Sequence, residues 1–152
     1  MNASTVELRT LHHAAGAALV ALVVMISGVG GPNAAYAQEQ KDVYIAKTDP
    51  DGVQRVRILA DSYFFKPNHI VVKVNVPVEL VVTKEAGITP HNIVIKAPEA
   101  GIAVEEDLDT EPKKITFTAR AVGKFPFYCS NQLLFFASHR ERGMEGVLEV
   151  VP

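Results

Sequence analysis

Short valine-rich runs, each closed by a turn signal, leave this chain little choice but to fold as a β-protein. Val43–Lys47 ends in the turn cluster Thr48-Asp49-Pro50-Asp51-Gly52. Val53–Ala60 alternates, with Gln54, Val56, Ile58 and Ala60 opposite Val53, Arg55, Arg57 and Leu59. Ile70–Val74 passes through Asn75-Val76-Pro77 into Val78–Thr83, and His91–Lys96 follows a turn at Gly87–Pro90. Ile115–Ala119, Phe125–Cys129 and Val147–Val151 complete the set. β-Branched runs of this length between Gly, Pro and Asn punctuation read as strands buried against a second sheet. Residues 97–112 hold Pro98, Pro112, Gly101 and the acids Glu105, Glu106, Asp107, Asp109 and Glu111, and read as a solvated loop. The expectation is an all-β sandwich of about seven or eight strands.

The first 37 residues read as a leader. Arg9, His12 and His13 precede an uncharged apolar run, Ala14 to Val29, and the small-residue pattern Ala35-Tyr36-Ala37 follows. The run is shorter than the roughly 20 residues that a spanning helix needs. Residues 1–37 are therefore expected to be a signal peptide and 38–152 a single domain. The protein would be exported and periplasmic, or tethered to a membrane if the leader stays. Once Arg9 and Glu7 leave with it, 14 Lys and Arg face 16 Asp and Glu, a balance that argues against nucleic-acid binding.

Exported proteins usually carry cysteines in disulfide-forming pairs, but Cys129 is the only one in the chain. It is either an inert core residue, a dimer bridge or a group occupied by chemistry. His139 lies ten residues on and Met144 five beyond that, and His91 stands upstream after Thr89-Pro90. One thiolate, two imidazoles and a thioether are soft and borderline donors that suit copper. Each residue alone also has an ordinary reading: Cys129 and Met144 as core, His91 as a turn residue, His139 in a charged turn. His69 reads as a surface or edge-strand histidine.

The order of these residues resembles that of the cupredoxins, the small blue-copper proteins of the plastocyanin and azurin kind. Phe64-x-x-Pro67, Ile70–Val74, Val78-Glu79-Leu80 and Pro90-His91-Asn92-Ile93-Val94-Ile95 are similar to the family's N-terminal half. Tyr128-Cys129-Ser130 and Gly143-Met144-x-Gly146-x-Leu148-x-Val150 resemble its C-terminal ligand loop. The resemblance implies a Greek-key sandwich and one copper per chain, cycling between Cu(I) and Cu(II). It implies His91, Cys129 and His139 as ligands, with Met144 as a weak axial one. Asn92 would tie the ligand loops together. The dinuclear oxidase type needs two cysteines. Multicopper oxidases and copper nitrite reductases need more histidines than His69, His91 and His139.

One departure from the family pattern stands out. Nine residues, Ser130 to Ser138, separate Cys129 from His139, where the family usually has two to four. An insertion near Asn131–Ala137 accounts for the difference. Either His139 still ligates, or it sits in solvent and the site is open or completed by another group such as Glu145. The inserted Leu133-Leu134-Phe135-Phe136 reads first as a helical turn packed on the sandwich end with Ser130 as its cap. The functional alternative is an exposed apolar collar, with Arg140 and Arg142 on its rim, where a redox partner docks.

The function expected is one-electron transfer, without catalysis or small-molecule substrate, to a partner such as a cytochrome or oxidase. Membrane contact would come only through that partner or an uncleaved leader. The alternative is copper delivery, storage or enzyme assembly. A metal-free binding module on the same scaffold is the third reading.

Overall fold

The computed structural model describes residues 43–152, so the expected signal peptide lies outside the described residues. Ten strands form two sheets. They are β1 (Val43–Ile45), β2 (Gln54–Asp61), β3 (Phe64–Lys66), β4 (His69–Lys73) and β5 (Pro77–Lys84). Then follow β6 (His91–Ala97), β7 (Ile102–Leu108), β8 (Lys113–Thr118), β9 (Gly123–Tyr128) and β10 (Glu145–Val151). One sheet runs β1-β4-β10-β9-β6-β7 and the other β3-β2-β5-β8. The expected all-β sandwich is present, with more strands than the sequence pattern showed.

The core between the sheets follows from the period of two that a pleated strand imposes. On β2 the buried positions are Gln54, Val56, Ile58 and Ala60, while Arg55 and Arg57 point outward. Val78, Leu80 and Val82 of β5 and Ile70 and Val72 of β4 join them, and Phe65 and Phe127 meet edge to face with centroids 5.3 Å apart. Buried Gln54 is a polar exception that is fully satisfied. Its amide donates to the Lys73 carbonyl at 3.2 Å and accepts from the Lys73 N–H at 2.7 Å. Outside the core, Arg55 holds Asp49, Asp51 and Glu79 in a surface cluster.

Two expectations need correction. Residues 97–112 are not a loop: a 3-10 turn at Pro98–Ala100 leads into β7, paired with β6 from His91↔Leu108 to Ala97↔Ile102. Ile102, Val104 and Leu108 are buried, and the exposed acids Glu105, Glu106 and Asp107 between them read from sequence as solvated loop. Lys96–Glu105 and Lys113–Glu106 ion pairs partly balance those acids. His69 is not an edge residue either. It opens β4, which lies between β1 and β10, and its Nε2 is 2.7 Å from Glu149 Oε2 on β10.

Strand direction brings distant residues to one end of the larger sheet. β9 is antiparallel to both neighbours, β6 and β10. The end of β9 therefore meets the beginnings of the other two. Cys129 follows β9, His91 begins β6, and Met144 immediately precedes β10.

Candidate metal centre

Three donor atoms converge at that end. Cys129 Sγ lies 3.4 Å from His139 Nδ1 and 3.9 Å from His91 Nδ1, and the two Nδ1 atoms are 3.1 Å apart. The point equidistant from the three lies about 2.0 Å from each, close to the bond length of a ligated imidazole and about 0.3 Å inside that of a ligated thiolate. All three residues are buried, and among the described residues they form the group able to hold a metal ion. The thiolate and two imidazoles are thus close enough together to hold one ion such as copper.

His139 reaches this position because the long connection is pinched at its base. Its N–H donates to the Asn131 carbonyl at 2.9 Å, so residues 132–138 leave and return as a side loop. Downstream, the Ser138 N–H and hydroxyl donate to Glu141 Oε2 at 2.7 and 2.9 Å, and the Glu141 N–H returns a bond to Ser138 Oγ. That reciprocal pattern is a capping box, and Ser138-x-x-Glu141 is its sequence signature. Gly143, at φ +98°, closes the turn in the left-handed region. The open alternative is thus overturned. His139 is buried, and Glu145 points away to pair with Arg140 at 2.9 Å.

Met144 is fully buried, and its backbone is held from both sides. Its N–H donates to the His139 carbonyl at 2.9 Å, and its carbonyl accepts from the Cys129 N–H at 3.0 Å. Asn92 joins the segments that carry His91 and Cys129. Its backbone N–H points at Cys129 Sγ at 3.4 Å, its amide donates to Ser130 Oγ at 2.8 Å, and its Oδ1 accepts the Ser130 N–H at 2.7 Å. Ser130 is committed to this bridge and caps no helix.

Electrostatics favour neutral donors. Burial lowers the pKa of His91, helped by His139 and Lys84, while Asp61 opposes. Burial and then Arg142 lower that of His139. Burial pushes the Cys129 thiol up, against the N–H groups of Asn92 and Asn131. Both imidazoles are thus in their ligating form at neutral pH, and the thiol proton is the one that an ion must displace.

The inserted apolar residues do not pack onto the sandwich. Phe135 is 85% exposed and Leu134 77%, and Leu133 and Phe136 are also open, around a turn closed by Phe136 N–H to Leu133 O. Leu133 and Phe136, with the fully exposed Ile88, border a cleft of about 520 Å³ that reaches His139. Of the expected rim charges, Arg140 is paired with Glu145 and stacked on Tyr128, so Arg142 is the cation facing the cleft.

Sequence reasoning missed Tyr63. It sits in the β2–β3 hairpin at φ +69°, with its ring edge-on to His139, centroids 4.9 Å apart. The Asp61-Ser62 pair marks a turn, but nothing local connects it to a histidine 76 positions away.

Solved structures share this architecture. The metal-binding domain of the Cu(I)-exporting P-type ATPase CopA of Streptococcus pneumoniae, with Cu(I), superposes with a TM-score of 0.56 at 24% identity, over 74% of this chain and 98% of that domain. The fold is that of the cupredoxins. An apo copper-binding protein solved by NMR matches at TM-score 0.54 and 23% identity, over 71% of this chain and 96% of its own. Reduced auracyanin from the photosynthetic bacterium Roseiflexus castenholzii matches at 0.52 and 21%, over 70% and 99%. At these identities the likeness speaks for the cupredoxin fold alone. No protein-family model matches the chain, and no curated protein matches it in sequence.

Proposed function

We propose that this chain is a mononuclear copper protein that carries single electrons between partners outside the cytoplasm. The observation that supports this most is the buried Cys129–His139–His91 triangle, whose donors are the thiolate and imidazoles of a blue-copper centre. When bound, copper supplies a one-electron couple. His91 and His139 would hold it through Nδ1, Cys129 through its thiolate, and Met144 as the weak fourth ligand. Asn92 fixes the spacing of the Cys129 and His91 segments, so that the donors need not rearrange between oxidation states.

The leader-like sequence pattern over 1–37 supports export, and the exposed collar Leu133–Phe136, whose Leu133 and Phe136 share a cleft with His139, supports docking of a protein redox partner such as a cytochrome or oxidase. Copper delivery is the second reading, favoured by the likeness to a Cu(I)-exporter domain. Visible absorption and EPR spectra of copper-loaded residues 38–152 separate the two. Electron transfer predicts an intense thiolate-to-Cu(II) band that Cys129→Ala abolishes, with reversible voltammetry. A colourless protein that hands Cu(I) rapidly to a chelator would be a delivery protein.

A further inference from the structure

We infer that Tyr63, backed by Arg142, is a positioning residue that clamps the imidazole of His139 in its ligating orientation. This rests on the copper reading of the His91–Cys129–His139 site. A short ligand loop restrains its histidine by tension along the chain. Here the loop bulges outward, and the Asn131 bond holds only the His139 backbone. The ring needs a restraint from elsewhere in the fold.

Tyr63 supplies it. Its ring stands at 80° to His139 with centroids 4.9 Å apart, and at 81° to His91 with centroids 6.4 Å apart. Edge-to-face contacts of this kind set the relative tilt of two rings. The Arg142 guanidinium lies 4.7 Å from the Tyr63 ring centroid and donates from Nε to the Ala137 carbonyl at 3.3 Å, linking the clamp to the inserted loop. The backbone carries a cost for this arrangement. Ser62 and Tyr63 both have positive φ, +30° and +69°, in a turn where glycine or asparagine would fit with less strain. A bulky aromatic held in that conformation, against two candidate ligands, points to a role for its ring.

The test compares Tyr63→Asn, which tolerates the left-handed turn but lacks the ring, with Tyr63→Phe, which keeps it. In the apo protein, the His139 side-chain rotamer, read from three-bond couplings and nuclear Overhauser contacts to His91, should become averaged in Tyr63→Asn and stay fixed in Tyr63→Phe. In the copper-loaded protein, release to a Cu(I) chelator should accelerate about tenfold in Tyr63→Asn, the factor set by 1.4 kcal/mol, and remain at the wild-type rate in Tyr63→Phe. Thermal melting of the apo variants checks folding, and Tyr63→Gly repeats the comparison if Tyr63→Asn does not fold. An unchanged His139 rotamer and unchanged release in the ringless variant would overturn the clamp. Wild-type protein that takes up no copper would overturn the copper reading, while the apo His139 rotamer still decides the clamp.

Discussion

Asn92 and Ser130 hold each other through two hydrogen bonds, amide to hydroxyl and backbone N–H to amide oxygen, and so fasten the start of β6 to the residue after Cys129. The bridge lies one residue from two of the three clustered donors. Replacing Asn92 by alanine removes both bonds of this part-buried pair, at a cost of about 1–3 kcal/mol together. Asn92→Ala should therefore melt at least about 4 °C lower. Asn92→Asp, which keeps the acceptor, should lose less, and differential scanning calorimetry of the apo proteins checks the order.

His139, not His69, is expected to carry the spectrum. His139→Ala removes one corner of the donor triangle and should abolish or strongly shift the thiolate-to-Cu(II) absorption. His69→Ala breaks only the pair with Glu149 and should leave the band in place. An unaltered spectrum in His139→Ala would show that the long loop supplies no ligand.

Copper uptake should release one proton over a defined pH range. Both imidazoles titrate below their ordinary value of 6.5, and the thiol titrates above its ordinary 9.0. Between those limits the displaced proton comes from Cys129 alone. Apparent affinity should rise about tenfold per pH unit there and more steeply once the imidazoles protonate. Competition titrations against a chelator of known protonation behaviour measure the slope. A flat profile between pH 7 and 8.5 would contradict a thiol proton in the apo site.

Gly146 allows β10 to pass close to its neighbours. A Cβ at this position would overlap the Phe127 ring and, less yieldingly, the Asn68 carbonyl oxygen. Gly146→Ala should destabilise by about 1–3 kcal/mol through overpacking. Chemical denaturation should show a lower midpoint with an unchanged slope.

The exposed collar should matter for encounters and not for folding. Leu134→Ser with Phe135→Ser removes two side chains that are 77% and 85% exposed, so stability should stay within about 0.5 kcal/mol of wild type. Electron self-exchange, read from NMR line broadening of mixed oxidation states, should slow about tenfold if encounters lose roughly 1.4 kcal/mol. An unchanged rate would remove the collar from the docking surface.

Period-two burial made most strands legible. Val56, Ile58 and Ala60, or Val78, Leu80 and Val82, alternate because one face of a strand meets the core and the other meets water. β7 was hidden because three consecutive exposed acids, Glu105, Glu106 and Asp107, break its alternation and resemble a loop, although Ile102, Val104 and Leu108 anchor it. The donor residues were equally readable, since a lone cysteine followed by histidine and methionine is a chemical statement before it is a geometric one.

Sequence alone determined the β-sandwich, the donor types and their order along the chain. The tertiary structure decided which of them meet. Nine residues between Cys129 and His139 cannot say by count whether the histidine returns. The bond to Asn131 and the Ser138–Glu141 cap bring it back. The same holds for Tyr63 and for the apolar loop. A ring contact across the sandwich end, or a side chain left in water, depends on what the rest of the fold places beside it, and no local pattern encodes that.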